Sequence, residues 1–139
     1  MKIALCTGAI RSAKMNKYHN HKARSVDGLI HDSRKEAKRW NELLLLQRAG
    51  QIKDLKRQVK FVLIPTQREN GIIGKCGGVK LGKVIERECC YIADFTYIDA
   101  QDKLHVEDVK GYKSGAAYTV FTIKRKLMLY IHKIRIKEI

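Results

Sequence analysis

The chain has 139 residues, 45% of them hydrophobic, a length and composition that suit one packed domain. Lys and Arg number 29 against 14 Asp and Glu, which gives a formal net charge of +15 and a pI near 9.9. Such a charge is typical of a nucleic-acid-binding protein. The lack of a long apolar run or a lipidation motif argues against a membrane partner.

The start of the chain and the cysteines bear on where the protein acts. Met1 to Cys6 is too short for the apolar region of a secretory signal peptide, and charged residues follow it. The four cysteines, at positions 6, 76, 89 and 90, form no Cys-x-x-Cys pair of the kind that holds zinc. We therefore expect reduced thiols and a cytoplasmic location.

Residues 1–25 are rich in basic and polar side chains and show little hydrophobic periodicity. We predict a flexible N-terminal arm here, followed by one domain over residues 26–139. Lys17, Lys22 and Arg24 are candidates for contacts with nucleic-acid phosphates. A solvated tail without a binding role explains the same residues equally well.

A helix is predicted from Ser33 to Gly50. Ser33 and Glu36 form the S-x-x-E pattern of a capping box, and Gly50 is a natural residue to follow a helix. Glu36 lies four residues before Trp40, so it also falls on the helix face that turns toward the sheet. From spacing alone the cap is the favoured interpretation of Glu36. The predicted apolar stripe is Ala37, Trp40, Leu43 and Leu44, with Gln47 as a further candidate.

A strand and a glycine-rich segment follow the helix. Alternating apolar residues predict a strand from Ile52 to Ile64, which Pro65 ends. Residues 66–88 contain five glycines and several lysines, which predicts a loop or a loose hairpin inserted in the domain. Gly74-Lys75-Cys76 does not fit a phosphate-binding loop, because Glu69 occupies the position of its first glycine.

The second half of the chain predicts two strands, a helix and a last strand. The two strands cover residues 89–99 and 103–110 and are joined by a polar turn. The helix covers residues 117–130, with Val120, Ile123, Leu127 and Tyr130 as its apolar face. Alternation from Ile131 to Ile139 predicts the last strand. The element order α-β-β-β-α-β indicates an α/β fold with a mixed sheet.

Asp94 and Asp108 each interrupt a run that otherwise resembles a strand. A charge inside an apolar strand is costly unless it is paired or holds a metal. Because side chains alternate along a strand, Asp108 and Lys110 share one face and Glu107 points to the other. Asp94, on the neighbouring strand, can lie about 5 Å from Asp108. From the pattern alone, an exposed ion pair explains Asp108 and Lys110 equally well.

The set of Asp94, then Asp108-Val109-Lys110, with Glu36 on a preceding helix, resembles the site of the PD-(D/E)XK nuclease superfamily. The chain is more closely similar to a small phage and prophage family described as Holliday-junction-resolvase-like. Ala93 stands where the name of the superfamily has proline. The similar stretches fall within residues 15–139 and are Asn16 to Tyr18, Asp32 to Ala37, Tyr91 to Phe95, Val106 to Gly111 and Lys124 to Leu127.

The resemblance implies a fold, a metal and a role for each of these residues. It implies a restriction-endonuclease-like core and a site for Mg²⁺ or Mn²⁺ formed by Asp94, Asp108 and the Val109 carbonyl. Glu36 would bind a metal-coordinated water or a second metal. Lys110 would orient the attacking water or stabilise charge on the phosphate. No small-molecule organic cofactor is expected.

Four further residues are candidates for binding nucleic acid. Lys113 and Ser114 precede the second predicted helix, whose first amide groups can hold a phosphate. Lys124 and Lys126 lie on that helix and are candidates to approach the strand that is cut. A solvated loop and a solvated helix face explain these four residues equally well.

The hypothesis is a metal-dependent endodeoxyribonuclease that acts on branched, Holliday-junction-like DNA during phage replication or recombination. Its location would then be the cytoplasm of a bacterial host. Cutting paired strands at a junction favours a homodimer, because two-fold symmetry places two sites at once. The alternatives are a non-catalytic DNA-binding module with a nuclease fold, and a nuclease that acts on RNA or on ordinary duplex DNA.

Overall fold

The computed structural model describes residues 21–139, in which two helices and a four-stranded sheet form the domain. Two short strands open the described chain, and residues 66–88 form a long hairpin that contains four more. In chain order the elements are β1 (Ala23–Arg24), β2 (Ile30–His31), α1 (Arg34–Arg48), β3 (Ile52–Ile64), β4 (Gln67–Arg68), β5 (Ile72–Ile73), β6 (Val79–Lys80), β7 (Val84–Glu86), β8 (Cys89–Asp99), β9 (Leu104–Asp108), α2 (Gly115–Leu127), a π-helical turn (Met128–His132) and β10 (Ile136–Glu138).

The predicted N-terminal arm falls largely on residues 1–20, which lie outside the described residues, and Lys17 is among them. The end of that arm, Ala23–Arg24, pairs with Ile30–His31 as a small antiparallel hairpin. Asp27 ties this hairpin to α1, because its carboxylate accepts a hydrogen bond from Trp40 Nε1 at 2.7 Å. Trp40 is buried, so the hairpin covers part of the core.

The first helix agrees with its prediction at both ends. Ser33 is the N-cap, and its Oγ accepts a hydrogen bond from the Glu36 amide at 3.2 Å. Gly50 has a φ of 70°, a left-handed conformation that glycine adopts without strain. Ala37, Trp40 and Leu43 are buried, as the stripe predicts. Gln47 is exposed, and Leu46 packs against the core in its place.

The main sheet has the strand order β10-β9-β8-β3 and is mixed. The β3–β8 and β8–β9 pairs are antiparallel, whereas β10 runs parallel to β9. A parallel pair needs a crossover connection, and α2 provides it. The predicted mixed sheet is therefore confirmed, and its two helices are compatible with the predicted α/β class. β3 has the predicted bounds.

The glycine-rich segment of residues 66–88 is a long hairpin. Its base is the β4–β7 pair and its tip is the β5–β6 pair, both antiparallel. Gly77 turns the tip with a φ of 78°. Every residue of these four strands is exposed, so the hairpin stands away from the core.

The predicted apolar face of the second helix is correct only at Leu127, which packs against the core. Val120, Ile123 and Tyr130 are 53%, 55% and 76% exposed, whereas Phe121 and Met128 are buried. The helix carries two apolar stripes, and periodicity alone cannot tell which of them meets the sheet.

The predicted last strand, Ile131 to Ile139, is shorter in the structure. Residues up to His132 belong to the π-helical turn, and Lys133 ends that turn with a left-handed φ of 59°. Only Ile136–Glu138 pairs with β9. Ile136 is buried between exposed neighbours, so the predicted alternation holds within this short strand.

Two clusters of buried residues form the core. One packs α1 on the sheet and contains Trp40, Leu43, Ile52, Phe95, Tyr97 and Val109. The other packs α2 and the π-helical turn and contains Leu63, Tyr91, Ala93, Val106, Phe121, Met128 and Ile136. None of the helices within residues 21–139 has the length and apolar character needed to cross a membrane.

Candidate functional site

Asp94 lies where the β8–β9 ladder ends. The last paired residues are Phe95 and Glu107, so the strands diverge beyond them. In place of a further backbone pair, the Asp94 carboxylate accepts a hydrogen bond from the Val109 amide at 2.7 Å. One carboxylate oxygen of Asp94 is thereby fixed against the segment that carries Asp108 and Lys110.

Asp108 is buried and uses both of its carboxylate oxygens. One forms an ion pair with Lys110 Nζ at 2.7 Å, and the other accepts a hydrogen bond from the Tyr91 hydroxyl at 2.7 Å. Lys110 Nζ also lies 4.0 Å from the centre of the Phe121 ring, which is a cation–π contact. The structure therefore brings Asp94, Asp108 and Lys110 together, as the sequence predicts.

Electrostatics at the site favour neutralisation of Asp94. Burial and the neighbouring negative charges of Asp108 and Glu36 together raise the pKa of Asp94 to about 7, against the opposing effects of the Val109 amide and Lys110. A half-buried pair of like charges is unfavourable unless a cation or a proton offsets it. Such pairs are more frequent at functional sites than elsewhere in a protein.

Glu36 lies near this pair, close enough for its charge to act on Asp94. Its Oε1 accepts a hydrogen bond from the Ser33 hydroxyl at 2.9 Å, so the residue does form part of the helix cap. It also lines a pocket of about 270 Å³ together with Val109 and Gly111. Lys35 joins the same two segments, since its Nζ donates to the Lys110 carbonyl at 3.2 Å. The cap and the site are therefore not exclusive roles for Glu36.

The donor set for a metal is small. Among residues 21–139, no three His, Cys, Asp or Glu side chains form a group able to hold a metal ion. Asp94 and Asp108 supply two carboxylates, and the Val109 carbonyl belongs to the same segment. Mg²⁺ is commonly held by one or two carboxylates and keeps several waters. The chemistry of these donors therefore fits Mg²⁺ or Mn²⁺ better than a metal that needs a complete protein shell.

Glu107 is a charged residue whose role the sequence analysis missed. It is completely buried, and its carboxylate receives two hydrogen bonds from the Arg39 guanidinium, at 2.7 and 2.8 Å. The Tyr97 hydroxyl donates a further hydrogen bond at 2.8 Å. This network links α1 to the strand that carries Asp108. The signal was present, because a charge in an apolar strand requires a partner.

Among residues 21–139, none of the candidate nucleic-acid-binding residues forms a hydrogen bond or ion pair with Asp94, Asp108 or Lys110. Lys113 is exposed and lies 3.5 Å from Glu138, which pairs with Asp108 across β10 and β9. Ser114 is the N-cap of α2, and its side chain makes no capping hydrogen bond. The other candidates in the described part of the chain are Lys22, Arg24 and Lys126, which are exposed, and Lys124, which is half-buried.

Comparisons with known proteins place the chain in a family without naming an activity. Neither the curated proteins nor the solved structures contain a match. Residues 15–137 match a family described as "Protein of unknown function (DUF1064)". Because this match covers most of the chain, including Glu36, Asp94, Asp108 and Lys110, the protein belongs to the DUF1064 family.

Proposed function

We propose that this protein is a metal-dependent endodeoxyribonuclease that hydrolyses phosphodiester bonds. One observation carries the proposal: two carboxylates and a lysine, Asp94, Asp108 and Lys110, are neighbours at the point where β8 and β9 diverge. A structural ion pair needs only two of these groups. The second carboxylate lies beside the first at an energetic cost that a further cation would offset.

The residues of the site fit a divalent cation and a phosphate. Asp94, Asp108 and the Val109 carbonyl would hold Mg²⁺ or Mn²⁺, and Glu36 would bind a metal-coordinated water or a second metal. When bound, the metal would lower the pKa of a coordinated water and neutralise charge on the phosphate. The Lys110 ammonium contacts Asp108 and Phe121. It would orient that water or stabilise the phosphate charge.

The order of the elements also supports the proposal. A helix, three antiparallel strands, a second helix and a last strand parallel to the third make up the sheet and its cover. We propose that this is a restriction-endonuclease-like core, in which both aspartates come from the second and third strands of the meander. The hairpin of residues 66–88 would then be an insertion between the first two of these strands.

The proposed substrate is branched, Holliday-junction-like DNA, in keeping with the resemblance to phage resolvase-like proteins. The formal net charge of +15 supports a polyanionic partner. We further propose a homodimer, because resolution of a junction requires two cuts related by symmetry. The place of action would be the cytoplasm, that of a bacterial host if a phage encodes the protein.

A cleavage panel tests this function. The purified chain would be incubated with a four-way junction, a flap, a linear duplex and RNA, each with Mg²⁺, Mn²⁺ or EDTA. We expect cutting of the junction with either metal and none in EDTA. Metal-dependent cutting of RNA or plain duplex alone would correct the substrate and keep the chemistry. Binding to the substrates without cutting any of them would favour a non-catalytic module.

The matched control is a carboxylate removed elsewhere. Asp102→Asn changes an exposed residue whose side chain is 76% accessible, in the turn between β8 and β9. It should cut the junction at the normal rate, whereas Asp108→Asn should not cut. Contaminating nuclease would show itself as equal activity in both variants.

A further inference from the structure

A second basic surface runs along the edge of the sheet, apart from the aspartate site. It is an open groove of about 960 Å³ beside β10, the edge strand. Six basic side chains line it: Lys103, Arg125, Lys126, Lys133, Arg135 and Lys137. Glu138 supplies its one carboxylate, at the end nearest the aspartate site.

Part of this positive charge has no carboxylate beside it. Arg125 forms an ion pair with Glu138, and Lys137 lies 3.5 Å from Glu107. Within residues 21–139, Lys103, Lys126 and Arg135 form no ion pair, and all three are exposed. Their mutual repulsion is unfavourable unless an anionic partner relieves it.

The groove is near the aspartate site but does not include it. Its acidic end is level with the site, because Glu138 pairs with Asp108. Its other end is level with Leu104, four residues along β9, which corresponds to about 13 Å of strand. A ligand in the groove would therefore lie beside the aspartate site and would not occupy it.

We propose that this groove binds the phosphodiester backbone of DNA next to the position of cutting. The inference rests on the proposed function and assigns residues for the flanking contacts. A row of long, exposed cations along an open groove suits a continuous polyanion and not a small ligand, which requires enclosure. Leu129 and Ile134 give the groove apolar surface between the charges, against which sugars can pack.

The test removes two of the uncompensated charges, in Lys103→Gln/Arg135→Gln. Binding of a fluorescently labelled junction and duplex would be measured by anisotropy in EDTA at several salt concentrations. Loss of two phosphate contacts should lower the slope of log K against log salt by about 2 and weaken binding at least roughly tenfold at 0.1 M salt. The control, Lys38→Gln/Arg48→Gln, removes the same charge from exposed positions on α1.

The outcomes separate the groove from the nuclease. Equal loss of affinity in both double variants, or no loss in either, would overturn the groove. So would a groove variant that loses affinity for polyglutamate but not for DNA, because it would identify an acidic protein as the occupant. If the wild type binds DNA through the groove but never cuts it, the proposed nuclease activity is wrong and the proposed DNA-binding groove is supported. Thermal unfolding of each variant checks that the fold is retained.

Discussion

At the scale of single residues, the aspartate site lowers the free energy of unfolding of the protein. Burial and the charge of Asp108 both disfavour the ionised form of Asp94. The chain nevertheless has an aspartate at this position, where a neutral side chain would avoid that cost. Functional sites often keep such unfavourable groups, although the folded protein would be more stable without them. This reasoning gives predictions that distinguish a functional carboxylate from a structural one.

The first prediction concerns Asp94→Asn. Asparagine retains an oxygen that can accept the 2.7 Å hydrogen bond from the Val109 amide, but it removes the repulsion from Asp108. We expect loss of cutting, DNA binding close to that of the wild type, and a melting temperature equal or higher in the absence of metal. Lower stability together with loss of DNA binding would mean that the carboxylate serves the fold.

The second prediction concerns the ammonium of Lys110. Lys110→Met keeps an unbranched side chain against the Phe121 ring and removes the charge. If the ammonium stabilises charge in the reaction, the rate should fall about 10²–10³-fold, by analogy with the loss of a single oxyanion donor. Metal affinity, measured by Mn²⁺ titration, should change little. An unchanged cutting rate would remove Lys110 from the chemistry.

At the scale of elements, the ion pair between Arg39 and Glu107 fixes the position of α1 relative to the sheet. Glu36 and Arg39 are three residues apart on α1, while Glu107 and Asp108 are adjacent on β9. The doubly hydrogen-bonded pair therefore sets the distance between the helix that carries Glu36 and the strand that carries Asp108. Removing Glu107 leaves the half-buried Arg39 guanidinium with one carboxylate partner, Glu42 at 2.8 Å, in place of two.

The third prediction follows for Glu107→Gln. We expect the variant to be less stable than the wild type by about 3 kcal/mol at pH 7, measured by urea unfolding. Burial opposes ionisation of Glu107, but hydrogen bonds from Arg39 and Tyr97 prevail and lower its pKa below the usual 4.5. The unfolded state then binds more protons, so the stabilisation is complete above pH 4.5 and is lost as the pH falls through the folded pKa.

The matching observation is the difference between the two proteins as the pH is lowered. The wild type and Glu107→Gln should converge in stability below pH 4.5. A gap that stays constant from pH 7 to pH 3 would show that the loss comes from packing and not from the charge.

The elements also show how far sequence reasoning reaches. Local signals located α1 and β3, since a cap, a glycine and a proline mark their ends independently of the rest of the fold. Local signals did not identify which side of α2 faces the sheet, where Phe121 and not Val120 is buried. The helix has two apolar stripes, and only tertiary packing determines which of them is buried. The partners of Glu107 were equally hidden, as Arg39 is 68 residues away in sequence.

At the scale of the whole molecule, positive charge is concentrated on the sheet edge beside the aspartate site. The net charge is +15, and the groove beside β10 concentrates six basic side chains on one edge of the sheet. Glu107 and Asp108, the two buried acidic residues of the described chain, are each paired with a basic side chain, whereas the groove presents its basic side chains to solvent. A surface of this kind attracts nucleic acid before any specific contact forms.

The proposed dimer is a prediction at this scale as well. Light scattering coupled to size exclusion should give twice the 16.0 kDa mass of the chain, alone or on a four-way junction. The exposed apolar residues of the long hairpin and of α2 offer contact area, but none of them is required for the aspartate site. A monomer that makes paired cuts in one junction would show that the two sites act without symmetry.

The last prediction concerns salt, because the proposed contacts are with phosphates. If 6–10 phosphates are neutralised, affinity for DNA should fall about 10³–10⁵-fold between 50 and 200 mM salt, whatever the sequence of the DNA. Anisotropy titrations of a junction at several salt concentrations in EDTA would measure the slope. Asp108→Asn provides the control, since it removes a buried negative charge and should keep the same slope. A shallow slope, corresponding to one or two contacts, would mean that the positive surface serves another partner and would weaken the assignment of DNA as substrate.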